Sequence, residues 1–241
     1  MPWRWIPPIT AAGGTQMAID RWMLDQLEAG GSPCLRLYRW SRPTLSLGRH
    51  QQRLEPHWQA LAEQGLLELV RRPSGGRAVL HAGELTYALA CRPVSTNRTQ
   101  AYRAGCRWLQ DALAQAGLPL GFGGGAAGSS CGEAQQRSSC FATATAADLV
   151  HSDGSKRIGS AQLWRGPHLL QHGSLLLTPP APLWQLVFGA APPALAPLPW
   201  DGPALEQALR HSAEQALCEG GLVEQPLSPE EWRQIEAMAP L

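Results

Sequence analysis

The 241-residue sequence is short of net charge, of long apolar runs and of paired cysteines, and each shortage removes a class of function. Its 20 Lys and Arg face 19 Asp and Glu, a formal charge of +1 that makes no electrostatic case for nucleic acid or an anionic membrane as main partner. The opening MPWRWIPPITAA holds no uninterrupted apolar stretch of signal-peptide length, and no later run approaches a membrane span, so a soluble, cytoplasmic protein is expected. The six cysteines, Cys34, Cys91, Cys106, Cys131, Cys140 and Cys218, include no C-x-x-C pair and no His/Cys cluster at zinc spacing. Neither a disulfide framework nor a structural metal is therefore expected, and the thiols should be reduced. What is present is enough chain for a full hydrophobic core, so a single domain over residues 1–241 is the default.

Apolar periodicity sets out the elements. TQMAIDRWMLDQLEAGG predicts a helix, with Thr15 as its cap, Ala18, Trp22, Met23 and Leu27 on one face and Gly30 and Gly31 as its stop. On this reading a helix precedes the first strands. CLRLYRW and PTLSLG alternate around the turn signal SRP as two half-buried strands, and EPHWQALAEQG is a short helix with Pro56 in its first turn. LLELVRR, RAVLH and ELTYALAC read as strands, the first two separated by the tight turn PSGG. TQAYRAGCRWLQDALAQAG is an amphipathic helix stopped at Gly117. Residues 123–137 hold almost no large apolar group and are expected to be mobile. DLVHSDGSKRIGSAQLWRGPHLLQHGSLLL predicts a three-stranded antiparallel meander with turns at SDGS and RGP. Three helices follow, packed on the rest over residues 182–241, the last opened by a Ser228/Glu231 capping box. There is no internal repeat, and the class is α+β, a largely antiparallel mixed sheet flanked by helices.

Two places concentrate residues suited to chemistry. In RRPSGGRAVLH the plain reading is a hairpin turn in which Gly75 and Gly76 supply positive φ. The functional reading is that the glycines admit a ligand to the backbone while Arg72, Arg77 and His81 offer donors to a carbonyl or phosphate. Cys140 stands where the polar segment meets SCFATATAADLV, a position that suits a thiol both reachable and held in place, and a nearby cation would favour its thiolate. Lys156 in GSKRIGSAQ is the candidate cation, against a plain reading as a solvated hairpin lysine. Gly159 and Ala161, two apart on one strand face, leave room for a flat or linear ligand. His172 reads as structural.

In order and spacing, RRPSGGRAVLHAGELTYALA, SCFATATAADLV and GSKRIGSAQLWRGPHLLQHGSLLL, with the weaker TLSLGRHQ upstream, resemble the biotin/lipoate protein ligase and octanoyltransferase superfamily. The similarity runs from about Thr15 to Leu177 and is nearest the cysteine-dependent octanoyltransferases of the lipoate ligase A type. It implies the catalytic-domain fold of that superfamily and transfer of an octanoyl group from acyl carrier protein to a lysine of a lipoyl-domain protein such as the glycine-cleavage H protein. It further implies Cys140 as the acyl carrier and Lys156 as the group that lowers its pKa. Arg72, Ser74, Gly75, Gly76, Arg77, Ala78 and His81, with Gly159 and Ala161, would line the acyl tunnel. No cofactor and no ATP are expected, the acyl group arriving on phosphopantetheine. No base for the acceptor lysine is visible. The competing readings are an ATP-dependent lipoate ligase, which needs no cysteine, and a non-catalytic module that binds lipoyl domains or acyl carrier protein.

Overall fold

The computed structural model describes residues 1–123 and 148–239. The chain opens with strand β1 (Trp3–Ala11), so the expectation of a helix first is corrected. Pro7 and Pro8 hide this strand in the sequence, because proline cannot donate to a ladder. The sheet accommodates them by a register shift against β2 (Cys34–Trp40) between Ile6 and Ile9. Helix α1 (Gly13–Glu28) forms the crossover that two parallel strands require. Its N-cap is Ala12 with no side-chain cap, in place of the predicted Thr15. The orphan N–H groups of Gly13 and Gly14 donate instead to the Glu68 carboxylate, at 3.0 and 3.3 Å, where the helix dipole favours a negative charge.

Strands β3 (Thr44–Leu47), β4 (Glu68–Arg71) and β5 (Val79–His81) make a small sheet in the order β4-β3-β5, with β3 parallel to β4 and antiparallel to β5. PSGG is therefore a crossover between the two outer strands and not a hairpin turn; Gly76 alone has positive φ, +101°, and Gly75 does not. Helix α2 (Pro56–Glu63) joins β3 to β4. Next come β6 (Glu84–Cys91), α3 (Arg98–Gln115) capped by Asn97, β7 (Gly121–Phe122), β8 (Leu149–Val150), β9 (Lys156–Arg165) and β10 (His168–Leu176). The expected meander is β8-β9-β10, antiparallel throughout. After α4 (Ala181–Phe188) and α5 (Gly202–Leu217), β11 (Leu222–Glu224) adds in parallel to β1, and α6 (Pro229–Met238) begins with the predicted capping box. The larger sheet has the order β11-β1-β2-β6-β10-β9-β8-β7, mixed and mainly antiparallel.

Period-two alternation divides the core. Leu85, Tyr87 and Leu89 of β6 pack with α3 and α5, whereas Ala88 and Ala90 pack with α1 and Ile235 of α6. Leu45 and Leu47 of β3 join Trp58 of α2 and Trp184 of α4 in a third cluster under the small sheet. β3 is buried along its whole length and β2 over its first five residues, more than half-buried strands would be. Among the described residues no helix is long and apolar enough to cross a membrane.

Candidate functional site

A pocket opens where α1, the central strands of the large sheet and the small sheet meet. Arg72, Gly75, Gly76 and His81 form one wall, and Gly159, Ser160 and Ala161 of β9 form another. The two sequence segments singled out thus face one another. Gly173 of β10 lies between them with no room for a side chain: a Cβ there would come within 2.7 Å of the Gly159 carbonyl and of the Tyr87 ring.

Arg72 is buried, and its guanidinium donates to the carbonyls of Ser46, Gly75 and Arg77 at 2.9, 2.8 and 2.7 Å. It builds the glycine crossover as well as lining the pocket. Ser74 does not line the pocket; its hydroxyl meets His172 Nε2 at 2.5 Å. His172 Nδ1 lies 2.6 Å from Asp20 Oδ2, and Asp20 Oδ1 accepts from Arg36 Nη2 at 2.5 Å. A buried chain thus runs from β2 through α1 and β10 to the crossover, and His172 is the clamp in its middle. Burial by itself raises the Asp20 pKa, but the Arg36 charge and the His172 hydrogen bond outweigh it and hold the carboxyl below its ordinary value. Tyr38, whose hydroxyl donates to Asp20, is pushed well above the usual phenol range by burial and by that carboxylate, and stays protonated. Ala78 packs into the cluster under the small sheet and Arg77 is half-buried; neither lines the pocket.

His81 is the centre of a second chain. Its Nε2 lies 2.7 Å from Ser46 Oγ and its Nδ1 lies 2.5 Å from Glu84 Oε1. Glu84 Oε1 also accepts from Thr86 at 2.6 Å, and Thr86 accepts from Trp40 Nε1 at 2.9 Å. The Trp40 ring stacks on the His81 imidazole, centroids 3.9 Å apart. Both rings also line a neighbouring groove with Glu84 and Arg42, so they form the partition between it and the pocket. Ser46, Glu84, Asp20 and Trp40 were not singled out from the sequence. The H-x-x-E spacing of His81 and Glu84 was the one available signal; Ser46 reads as an ordinary polar position of an alternating strand.

Lys156 is 3% exposed and lies 2.9 Å from Asp148, also 3% exposed, so the solvated-hairpin reading does not hold. It is the only lysine in a chain with 19 arginines, a signal in the sequence that a position needs an ammonium. Lys156 and Asp148 do not line the pocket, and Asp148 follows directly on residue 147 in the chain. Cys140, and the expectation of mobility for residues 123–137 beyond Gly123, lie outside the described residues. The cysteines that are described, Cys34, Cys91, Cys106 and Cys218, are buried, and burial pushes their thiols up to between about 11 and about 12. No group of three metal-ligating side chains occurs among the described residues.

The model of the lipoyl protein ligase A/B catalytic domain matches residues 13–185. The chain is 37% identical over 181 residues to the octanoyltransferase LipM of Carboxydothermus hydrogenoformans, covering 73% of this chain and 65% of that protein. The corresponding protein of Moorella thermoacetica is 37% identical over 182 residues, with 73% and 65% covered. The chain thus spans just under two thirds of the length of these relatives. Among solved structures, a T. acidophilum protein with bound lipoic acid superposes with a TM-score of 0.78 at 18% identity, covering 99% of this chain and 95% of that one. A lipoate-protein ligase A bound with ATP gives 0.76 at 18% identity, covering 99% and 94%; at such identities the likeness establishes the fold.

Proposed function

The chain belongs to the lipoyl protein ligase A/B catalytic domain family, and from that premise we propose that it is an octanoyltransferase, moving an octanoyl group from acyl carrier protein to a lysine of a lipoyl domain through a thioester on Cys140. The observation that carries the reading is the pocket in which the Arg72–Gly76 crossover and His81 face the small residues Gly159 and Ala161. Identity to proteins named octanoyltransferase supports the acyl group, and a solved relative described as a bipartite ligase with its E2 lipoyl domain supports that class of acceptor.

In this reading Cys140 exchanges one thioester for another. Its sulfur bonds to the acyl carbon, and the phosphopantetheine thiol leaves with a proton. The exchange is nearly isoenergetic, so no ATP is consumed. Amide formation with the acceptor lysine then makes the second step downhill. Lys156 orients the reacting thiolate as a hydrogen-bond donor, because the Asp148 carboxylate at 2.9 Å offsets its charge.

The test is intact-protein mass spectrometry after incubation with octanoyl-acyl carrier protein without ATP, and separately with ATP and free octanoate. An adduct in the first mixture, mapped to Cys140 and absent from Cys140→Ala, is the expected result. Acceptor modification only in the second mixture would make the protein a ligase. Binding of acyl carrier protein or lipoyl domain with no modification in either would make it a binding module.

A further inference from the structure

The reaction needs a group to take the proton from the acceptor ammonium, and the structure offers one that sequence pattern does not reveal. Donor-only groups at both ends of the His81 chain, with the Glu84 carboxylate, favour one direction for its hydrogen bonds. A guanidinium can only donate, so Ser46 Oγ accepts from Arg72 Nη1 at 3.3 Å, which leaves the serine's own proton available to a neutral His81 Nε2. An indole N–H likewise only donates, so Thr86 accepts from Trp40 and turns its proton to Glu84. The remaining close bond places the His81 proton on Nδ1, against Glu84. With its proton on Nδ1, His81 turns the Nε2 lone pair toward Ser46, the arrangement of a serine, histidine and acid that moves protons in acyl transfer.

Two observations argue for more than a satisfied structural histidine. Among the described residues Glu84 Oε2 is buried with no hydrogen-bond partner, a costly arrangement around a histidine that stays neutral and a useful one around a histidine that becomes a cation. Ser46 lines the pocket, whereas the corresponding Ser74 at the end of the Asp20–His172 chain does not.

We propose that Ser46, His81 and Glu84 form the base for the acceptor amine, an inference that rests on the octanoyltransferase reading. The ammonium gives a proton to Ser46 Oγ as Ser46 passes its own to His81 Nε2. The freed amine forms the C–N bond with the thioester carbonyl, the C–S bond breaks, and the proton then shed by nitrogen goes to the leaving thiolate. Among the described residues, the charged groups near the unit besides Glu84 are Arg72, through Ser46, and Arg39 and Arg42, which line the neighbouring groove with His81 and Glu84; Ser174 approaches Nδ1 at 3.4 Å and is neutral.

The test separates loading from transfer. Wild type and Glu84→Gln are loaded from octanoyl-acyl carrier protein without acceptor, followed by intact mass, then mixed with a lipoyl-domain acceptor across a pH series. Glu84→Gln should slow transfer about 100-fold and loading less than about threefold, the range of a lost acid-base contribution. The acidic limb of its transfer profile should move, because the group that receives the proton has lost its carboxylate partner. If thermal melts show that Glu84→Gln does not fold, Ser46→Ala replaces it, with the same selective loss of transfer expected. Equal slowing of both steps, no slowing, or an unmoved pH limb overturns the assignment. An octanoyl ester mapped to Ser46 in the wild type does so too, making the serine a nucleophile. A wild type that never loads sinks the octanoyltransferase reading itself and this inference with it.

Discussion

Replacing Asp20 by Asn removes one negative charge from the interior at almost constant side-chain size. Asp20 and Arg36 have side-chain exposures of 0% and 1%, so no water reaches either partner. The carboxylate accepts from Arg36 Nε at 3.2 Å and Nη2 at 2.5 Å, from His172 at 2.6 Å and from Tyr38 at 3.2 Å. An asparagine has one acceptor oxygen for these donors and turns two N–H groups toward the others. Leaving a buried guanidinium without its counter-charge costs about 3–5 kcal/mol. For a chain of this length that is a fall of about 6–20 °C in Tm, read by circular dichroism at pH 7. Asp20→Asn/Arg36→Met should be less destabilised than Asp20→Asn alone, because the orphaned charge is gone. The acid limb gives a second reading. The folded pKa of Asp20 is lowered, so its contribution is fully present above the ordinary carboxylate value near pH 4 and is lost as pH falls through the lower folded value. Wild type should therefore lose stability on acidification below about pH 4 more steeply than Asp20→Asn. A Tm change under about 2 °C, or a double variant no better than the single, would refute the claim that this pair is a charge-balanced core.

The two glycines of the crossover should behave differently. Gly76 has φ +101° and Gly75 has open space where a Cβ would go, so Gly76→Ala should cost about 1–2 kcal/mol in urea unfolding and Gly75→Ala under about 0.5. Gly173→Ala would drive a methyl against the Gly159 carbonyl and the Tyr87 ring, an overpacking cost of about 1–3 kcal/mol, and should impair loading of octanoyl more than of a shorter acyl thioester. Lys156→Ala removes the ammonium 2.9 Å from the buried Asp148 carboxylate and should lower Tm by several degrees; an unchanged melt would mean that Asp148 does not depend on that charge. Native alkylation at pH 7.5 should leave Cys34, Cys91, Cys106 and Cys218 unlabelled, since burial keeps them as thiols, and peptide mapping that finds any of the four modified would contradict their packing.

The parts of this protein legible in its sequence are those in which local chemistry and tertiary structure agree. Ser228 caps the helix that follows, as residue type requires, and the β8-β9-β10 meander falls where turn signals separate apolar runs. β1 was hidden because Pro7 and Pro8 contradict strand propensity, and only pairing with β2 on either side of the bulge overrides them. The crossover has the local sequence of a hairpin, but β3, placed well upstream, inserts between β4 and β5, a long-range pairing without local signature. The site divides along the same line. Arg72, Gly76 and His81 announce themselves as cations, a glycine and a histidine in one short segment. Their partners do not: Ser46 is 35 positions from His81, and Asp20 is 152 positions from His172. Each acceptor looks like an ordinary polar residue until the fold brings it within hydrogen-bond distance, and the roles of both histidines depend on those distant acceptors. His172 read from the sequence as structural and His81 as a ligand donor. The two carry the same serine, histidine and acid chain, and what separates their roles is whether the serine at the end lines the pocket.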